Sequence, residues 1–208
     1  MNDLYTAVLH AVKNQLAELA LCLSKRGDAR AEMEIAMNAS RRLTEMLLLS
    51  RENCKQLQVS VDSVNPGDFL EILAAEYAEF FPDILIGIDV KHAPDCVFFD
   101  EALVSLAFGN AVHNACRNAR TCIELTAYEQ DNMLVLQVCD DGPGFPDGVL
   151  TSGGKLPAAV SRSGTGLGLY LANKIAEMHK LNDRSGHIEL SNGKSGLVSG
   201  GRFRMVLP

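Results

Sequence analysis

The sequence predicts an α+β protein: a helical hairpin over residues 1–55, followed by an α/β sandwich over residues 56–208 with helices on one face of a mixed sheet. Three observations predict it. Apolar residues recur at spacings of four and three through the first part of the chain. From about residue 56, period-two segments and helical segments mix without regular βαβ alternation. Glycine, serine and proline then concentrate in residues 141–165. At about 150 residues per domain, 208 residues leave room for two units and a real core. With 47% hydrophobic and 22% charged residues, the composition excludes disorder as the main state.

Residues 3–26 read as the first helix, because Tyr5, Leu9, Val12, Leu16, Leu19 and Leu23 form a seam suited to a coiled coil or bundle. Gly27 can stop it and Asp28 can cap the next. The second helix runs to about residue 53, with Ala36, Ala39, Leu43 and Met46 on one stripe. One hairpin has too little core to stand alone, and two from two chains make a four-helix bundle, so a homodimer is expected. Beyond it, Leu57, Val59 and Val61 alternate as a half-buried strand does. The Asn65-Pro66-Gly67-Asp68 segment breaks that strand, and Asp68 can cap a helix through residue 80. Strands are predicted over 84–90 and 96–99, a helix from Asp100 to about residue 120, and a hairpin of strands 122–128 and 133–139. Residues 141–165 read as a loop, 166–179 as a helix, and 188–190 and 202–207 as the last two strands.

Charge and cysteine usage narrow the function. A formal net charge of −7, from 19 Lys+Arg and 26 Asp+Glu, argues against a nucleic-acid binder, which needs a basic face to release counterions. Cys22, Cys54, Cys96, Cys116, Cys122 and Cys139 show no CxxC or metal-ligand spacing and have mostly apolar neighbours, so they read as small core residues in a reducing cytoplasm. The N-terminus has no basic start and apolar run of a secretory signal. No apolar stretch reaches the roughly 18 to 20 residues that span a bilayer. The expectation is a cytoplasmic protein with no direct membrane span, leaving any sensing of an outside signal to another chain.

Three segments can carry chemistry. Asp140-Asp141-Gly142-Pro143-Gly144 follows a predicted strand, where a carboxylate can hydrogen-bond a base edge while the glycine backbone turns around a ligand; the same residues also make a good surface turn. Gly164-Thr165-Gly166-Leu167-Gly168-Leu169 opens a helix, and amides at a helix N-terminus make an anion site; a glycine-rich helix start without a ligand is the plainer alternative. It lacks the Gly-Lys-Ser/Thr of a Walker A loop and the preceding strand of a dinucleotide-binding fingerprint. Asn110, Asn114 and Arg117 or Asn118 share one face of the helix opened by Asp100. Asparagine oxygens suit Mg²⁺ and an arginine can pair with phosphate, although a polar solvated helix face looks the same.

In this order the segments resemble the nucleotide-binding domain shared by histidine kinases, gyrase, Hsp90 and MutL. The resemblance covers about residues 60–208, including the closing Gly200-Gly201-Arg202-Phe203 segment, which looks like the last strand of histidine kinases. It implies that Asn114 binds Mg²⁺, that Asp140 contacts adenine within an Asp-x-Gly-x-Gly pattern with Gly142 and Gly144, and that Gly164, Gly166 and Gly168 form a second glycine box; with Thr165, Leu167, Asn110 and Arg117 these are the expected ATP-binding residues. Residues 145–163 fall on the family's mobile lid. His113 reads as structural or lid-facing.

The helical hairpin points to the histidine kinases within that family. His10-Ala11-Val12-Lys13-Asn14-Gln15-Leu16 is similar to their phosphoacceptor motif, His-acidic-x-x-Asn-x-Leu. The resemblance implies that His10 takes the phosphoryl group, that Asn14 positions water for dephosphorylating the partner, and that a response-regulator aspartate receives the phosphate. Ala11 departs from the motif, which has a carboxylate there to fix the tautomer and raise the basicity of the histidine. That leaves an alternative: a phosphotransferase or phosphatase, or an ATP-dependent regulator-binding module, with weak or no autokinase activity.

Overall fold

A five-stranded sheet in the order β2-β4-β5-β9-β8 organises residues 59–208: β2 (Leu85–His92), β4 (Cys122–Gln130), β5 (Met133–Asp140), β9 (Val198–Leu207) and β8 (His187–Ser195). The computed structural model describes residues 58–153, 167–195 and 198–208, with scattered positions between 15 and 44. The chain divides into two units, Met1–Gln58 and Val59–Pro208. In the first, Gln15, Leu16, Leu19, Cys22, Leu23, Glu32, Ile35, Ala36, Ala39, Leu43 and Thr44 are helical. His10, Ala11, Asn14 and the Arg26-Gly27-Asp28 turn lie outside the described residues, and with them the hairpin and bundle expected there.

The sheet is mixed, as predicted. β2 runs parallel to β4, and the other neighbours are antiparallel. Asp131 and Asn132 both have positive φ, 55° and 57°, so a two-residue turn joins β4 to β5 with the twist that antiparallel strands favour. Ile123, Leu125 and Ala127 on β4, Leu136 and Val138 on β5, and Phe203, Met205 and Leu207 on β9 are buried. The helices α1 (Pro66–Phe80), α2 (Glu101–Asn118) and α4 (Leu167–Met178) cover the sheet: α1 packs on β2 and β4, α2 on β5, and α4 on β8 and β9. The rings of Phe69 and Phe99 meet edge-on at 5.5 Å, and Phe108 lies 6.2 Å from Phe203, joining helices to sheet.

Several local readings need correction. The β1 strand is Asp62–Val64, paired only with the three residues of β3 (Val97–Phe99), and residues 58–61 of the expected strand lie outside it; Leu57 lies outside the described residues. Val61 is 53% exposed, so its alternation with Val59 marks no buried face. Asn65, not Asp68, caps α1: its Oδ1 accepts from the N–H groups of Gly67 and Asp68, and Pro66 occupies the first turn, where a missing N–H costs nothing. A short helix α3 (Asp147–Ser152) lies in the stretch read as loop, and a small hairpin, β6 (Lys180–Leu181) with β7 (Arg184–Ser185), follows α4. Cys116 and Cys139 are core residues, but Cys22 and Cys96 are exposed. Among the described residues no helix is long and apolar enough to cross a membrane.

Asp100 caps α2 as predicted and does more. Its Oδ1 accepts from the Leu103 N–H at 2.9 Å and its Oδ2 from the Ser60 N–H at 2.8 Å. Its own N–H donates to Nε2 of His179 at 3.0 Å, while Nδ1 of that ring meets the Ile175 carbonyl at 2.8 Å. One buried carboxylate and one buried ring thus tie the start of α2 to the end of α4 and to the chain entering the unit. Asp100→Ala removes the cap and the anchor to Ser60 while keeping the backbone bond to His179, and is expected to destabilise residues 59–208 by about 1 to 2 kcal/mol. A thermal melt checks this; an unchanged midpoint contradicts it.

Candidate functional site

The strand β5 delivers Asp140 to the carboxyl end of the sheet, directly beside β9. Asp140 is 6% exposed, and its Oδ1 accepts from two backbone N–H groups, Gly142 at 2.8 Å and Gly201 at 3.2 Å. Its Oδ2 takes no hydrogen bond from the described residues. Burial raises the Asp140 pKa above the ordinary carboxylate value; the two N–H groups oppose this, and Asp141 beside it adds to it. A side chain at Gly142 would collide with the Asn118 carbonyl, and one at Gly201 would come within 2.8 Å of Asp140 Oδ2. Both glycines are therefore required by the close approach of backbone to carboxylate.

A small cleft of about 30 Å³, open to solvent, lies above Asp140. Its walls come from α2 (Ala111, Asn114, Ala115, Asn118), from β5 (Val138, Asp140), from Phe145 after the glycine turn, from Leu169 on α4, and from Gly201 and Phe203 on β9. Of the polar residues singled out by sequence, Asn114, Asn118 and Asp140 line it together. Gly142 stands behind Asp140 against Asn118. Leu167 and Gly168 lie in the first turn of α4, half-buried. Arg117 is exposed in the last turn of α2. Asn110 does not line the cleft: it is buried, and its amide finds no partner among the described residues. Gly164, Thr165 and Gly166 lie outside the described residues. His113 is structural, not lid-facing, for it is buried edge-on against Tyr77 and Phe81 with ring centroids 6.2 and 5.3 Å away.

The donor set fits an adenine nucleotide with Mg²⁺. A carboxylate on the wall of a mostly apolar cleft, with one oxygen pinned and the other without a hydrogen bond from the described residues, suits the amino group on a base edge. Asn114 is exposed on the same wall and offers a neutral oxygen. No group of three or more His, Cys, Asp or Glu side chains able to hold a metal occurs among the described residues.

Phe145 is a site residue that the motif reading missed, while Leu169, Gly201 and Phe203 lie in segments it singled out without giving these residues a role in the site. Phe145 directly follows the glycine turn, and an apolar residue beside a ligand-binding turn is a local signal. Gly201 and Phe203 arrive through the β5–β9 register, in which Val138 faces Phe203 and Cys139 faces Arg202. Asp141 has a different role from its neighbour. It accepts from the N–H groups of Arg120 at 2.6 Å and Thr121 at 3.0 Å, and from the Thr121 hydroxyl at 2.6 Å, so it ties the exit of α2 to the site turn.

Comparison with known proteins agrees with this geometry. The family model "Histidine kinase-, DNA gyrase B-, and HSP90-like ATPase" matches residues 99–208. The sensor-type histidine kinase PrrB of Mycobacterium tuberculosis is 28% identical over 210 aligned positions, which cover 96% of this chain and 44% of PrrB. The chain therefore spans less than half of that relative. The catalytic domain of histidine kinase ThkA superposes with a TM-score of 0.60 at 21% identity, covering 72% of this chain and 97% of that domain. Full-length ShkA in complex with AMPPNP gives a TM-score of 0.69 at 18% identity, covering 97% of this chain and 44% of ShkA. These two likenesses establish the fold.

The Asp141 lock has a measurable pH signature. Burial pushes its pKa up, but the hydrogen bonds from the Thr121 hydroxyl and the Thr121 and Arg120 N–H groups outweigh it and hold the value down at about 2, against 3.8 ordinarily. The stabilisation is therefore complete above the unfolded-state value and is lost as the pH falls through the interval between the two. Asp141→Asn is expected to flatten the fall of the melting temperature between about pH 4 and pH 2. Parallel acid-dependence curves for the two proteins contradict the lock.

Proposed function

The chain belongs to the histidine kinase-, DNA gyrase B- and HSP90-like ATPase family, and from that premise we propose that it is the ATP-dependent core of a two-component histidine kinase. The observation that carries the nucleotide assignment is the Asp140 carboxylate on the cleft wall, its Oδ1 fixed by the Gly142 and Gly201 N–H groups and its Oδ2 without a hydrogen bond from the described residues. Oδ2 accepts from the adenine amino group, and Asn114 ligates Mg²⁺. Gly144, Gly164, Thr165, Gly166, Leu167 and Gly168 surround the nucleotide, with Asn110 and Arg117 on the same helix as Asn114. Bound Mg²⁺ neutralises phosphate charge and orients the transferring group, so the protein's own task is mostly positioning.

His10 receives the γ-phosphoryl group: the bond from phosphorus to the bridging oxygen breaks, a bond to Nε2 forms, and ADP leaves. The phosphoryl group then passes to an aspartate of a response-regulator receiver domain. Asn14, four residues beyond His10 in sequence, serves the reverse task of positioning water on the phosphorylated partner. The protein acts as a homodimer in the cytoplasm. Support for a kinase over the family's other branches is that the likeness to PrrB runs over 96% of this chain, past the ATPase domain into the helical segment.

Incubation with γ-labelled ATP tests the proposal. The expected result is acid-labile, base-stable label on the chain that is absent from His10→Gln, with nucleotide binding retained. Ala11→Glu restores the missing carboxylate and is expected to speed labelling, within the roughly 10²- to 10⁴-fold that general-base help supplies. Label that survives His10→Gln removes His10 from the role. Label absent from both the natural chain and Ala11→Glu favours the phosphotransferase or regulator-binding reading.

A further inference from the structure

The side chain of Asn192 makes a two-point contact that no motif accounts for. Its Oδ1 accepts from the Phe145 N–H at 2.7 Å, and its Nδ2 donates to the Phe145 carbonyl at 2.8 Å. The amide thus pairs with the backbone of Phe145 as a neighbouring strand would. The approach is close enough to dictate the adjoining residue. Gly144 has φ +83°, and a Cβ there would lie 2.7 Å from Asn192 Oδ1. Both the conformation and the space exclude a side chain.

The sheet register places this contact opposite the Asp140 anchor. Asn192 on β8 pairs with Gly201 on β9, whose N–H donates to Asp140. One strand of the β8–β9 hairpin therefore holds the carboxylate, and the other holds the chain just beyond the glycine turn. Phe145 lies where these meet: a Cβ on Gly201 would sit 3.3 Å from Phe145 Cε2. Phe145 and Phe203 are the aromatic residues lining the cleft. Phe203 is buried against Phe108, and Phe145 is only half-buried. Phe145 is thus the ring with a face to offer a ligand.

We infer that Asn192 is a positioning residue for the nucleobase: its amide fixes Phe145 as the aromatic wall of the Asp140 cleft, against which the flat face of the base packs. The inference rests on the reading of that cleft as the nucleotide site. Asp140 recognises the edge of the base and Phe145 its face, and the same hairpin sets the distance between the two. Nothing but asparagine, or glutamine with a longer reach, supplies a donor and an acceptor side by side here. Aspartate keeps the acceptor and turns a carboxylate oxygen toward the Phe145 carbonyl.

A double-mutant cycle on the full chain tests the assignment, with AMPPNP affinity read by calorimetry for the natural protein, Asn192→Ala, Phe145→Ala and the double variant. Loss of the two-point contact is expected to weaken binding about tenfold. Phe145→Ala is expected to weaken it at least as much, and the double variant is expected to match Phe145→Ala alone. Hydrogen exchange at the Phe145 amide is expected to speed up in Asn192→Ala. Should Asn192→Ala fail to fold, Asn192→Asp replaces it in the same cycle, with the donor alone removed. Affinity within twofold of the natural protein, or losses that multiply in the double variant, overturns the inference. Absence of AMPPNP binding by the natural protein overturns the nucleotide reading itself, so the two failures are distinct.

Discussion

The fixing of Asp140 by two backbone N–H groups is the interaction on which the rest of the site depends. A carboxylate 6% exposed at the end of a strand is costly unless it is hydrogen-bonded. Gly142 and Gly201 bond one of its oxygens and leave the other without a hydrogen bond from the described residues, on a residue that lines the cleft. This is possible only because β9 lies next to β5 and because neither glycine carries a Cβ. The result is an acceptor whose position is set by the sheet, not by a loop.

The surrounding elements then follow from that constraint. Asp141 points away from Asp140 and holds the end of α2, so the helix carrying Asn114 is anchored to the same turn that carries Asp140. Asp100 and His179 secure the other end of α2 to α4. Two adjacent acids thus divide two tasks by environment. Asp140 is buried and its pKa is raised; Asp141 is half-buried, met by several donors and lowered to about 2.

Much of this was legible locally. The Asp100 cap, the β4–β5 hairpin and the strand-end Asp140 with its glycines are short-range patterns, and the structure has all of them. What depends on register was not legible. Gly201 and Phe203 reach the cleft, and Asn192 reaches Phe145, across more than forty residues of chain, through the β5–β9 and β8–β9 pairings. No spacing rule connects Asn192 to Phe145. The 57–61 stretch misled for a related reason: its alternation resembles a strand, but the partner β3 offers only three residues further on. Asn110 shares a helix face with Asn114, yet burial separates the two, which helical spacing alone does not reveal.

The most direct measurement is calorimetric titration of ATP with Mg²⁺ into the natural protein and into Asp140→Asn. That substitution keeps the shape of the side chain and its ability to accept one N–H bond, while removing the charged acceptor on the cleft wall. The account predicts a loss of affinity of at least tenfold with an unchanged melting temperature. Equal affinity in the two proteins would contradict it, because the nucleobase would then not be held by Asp140.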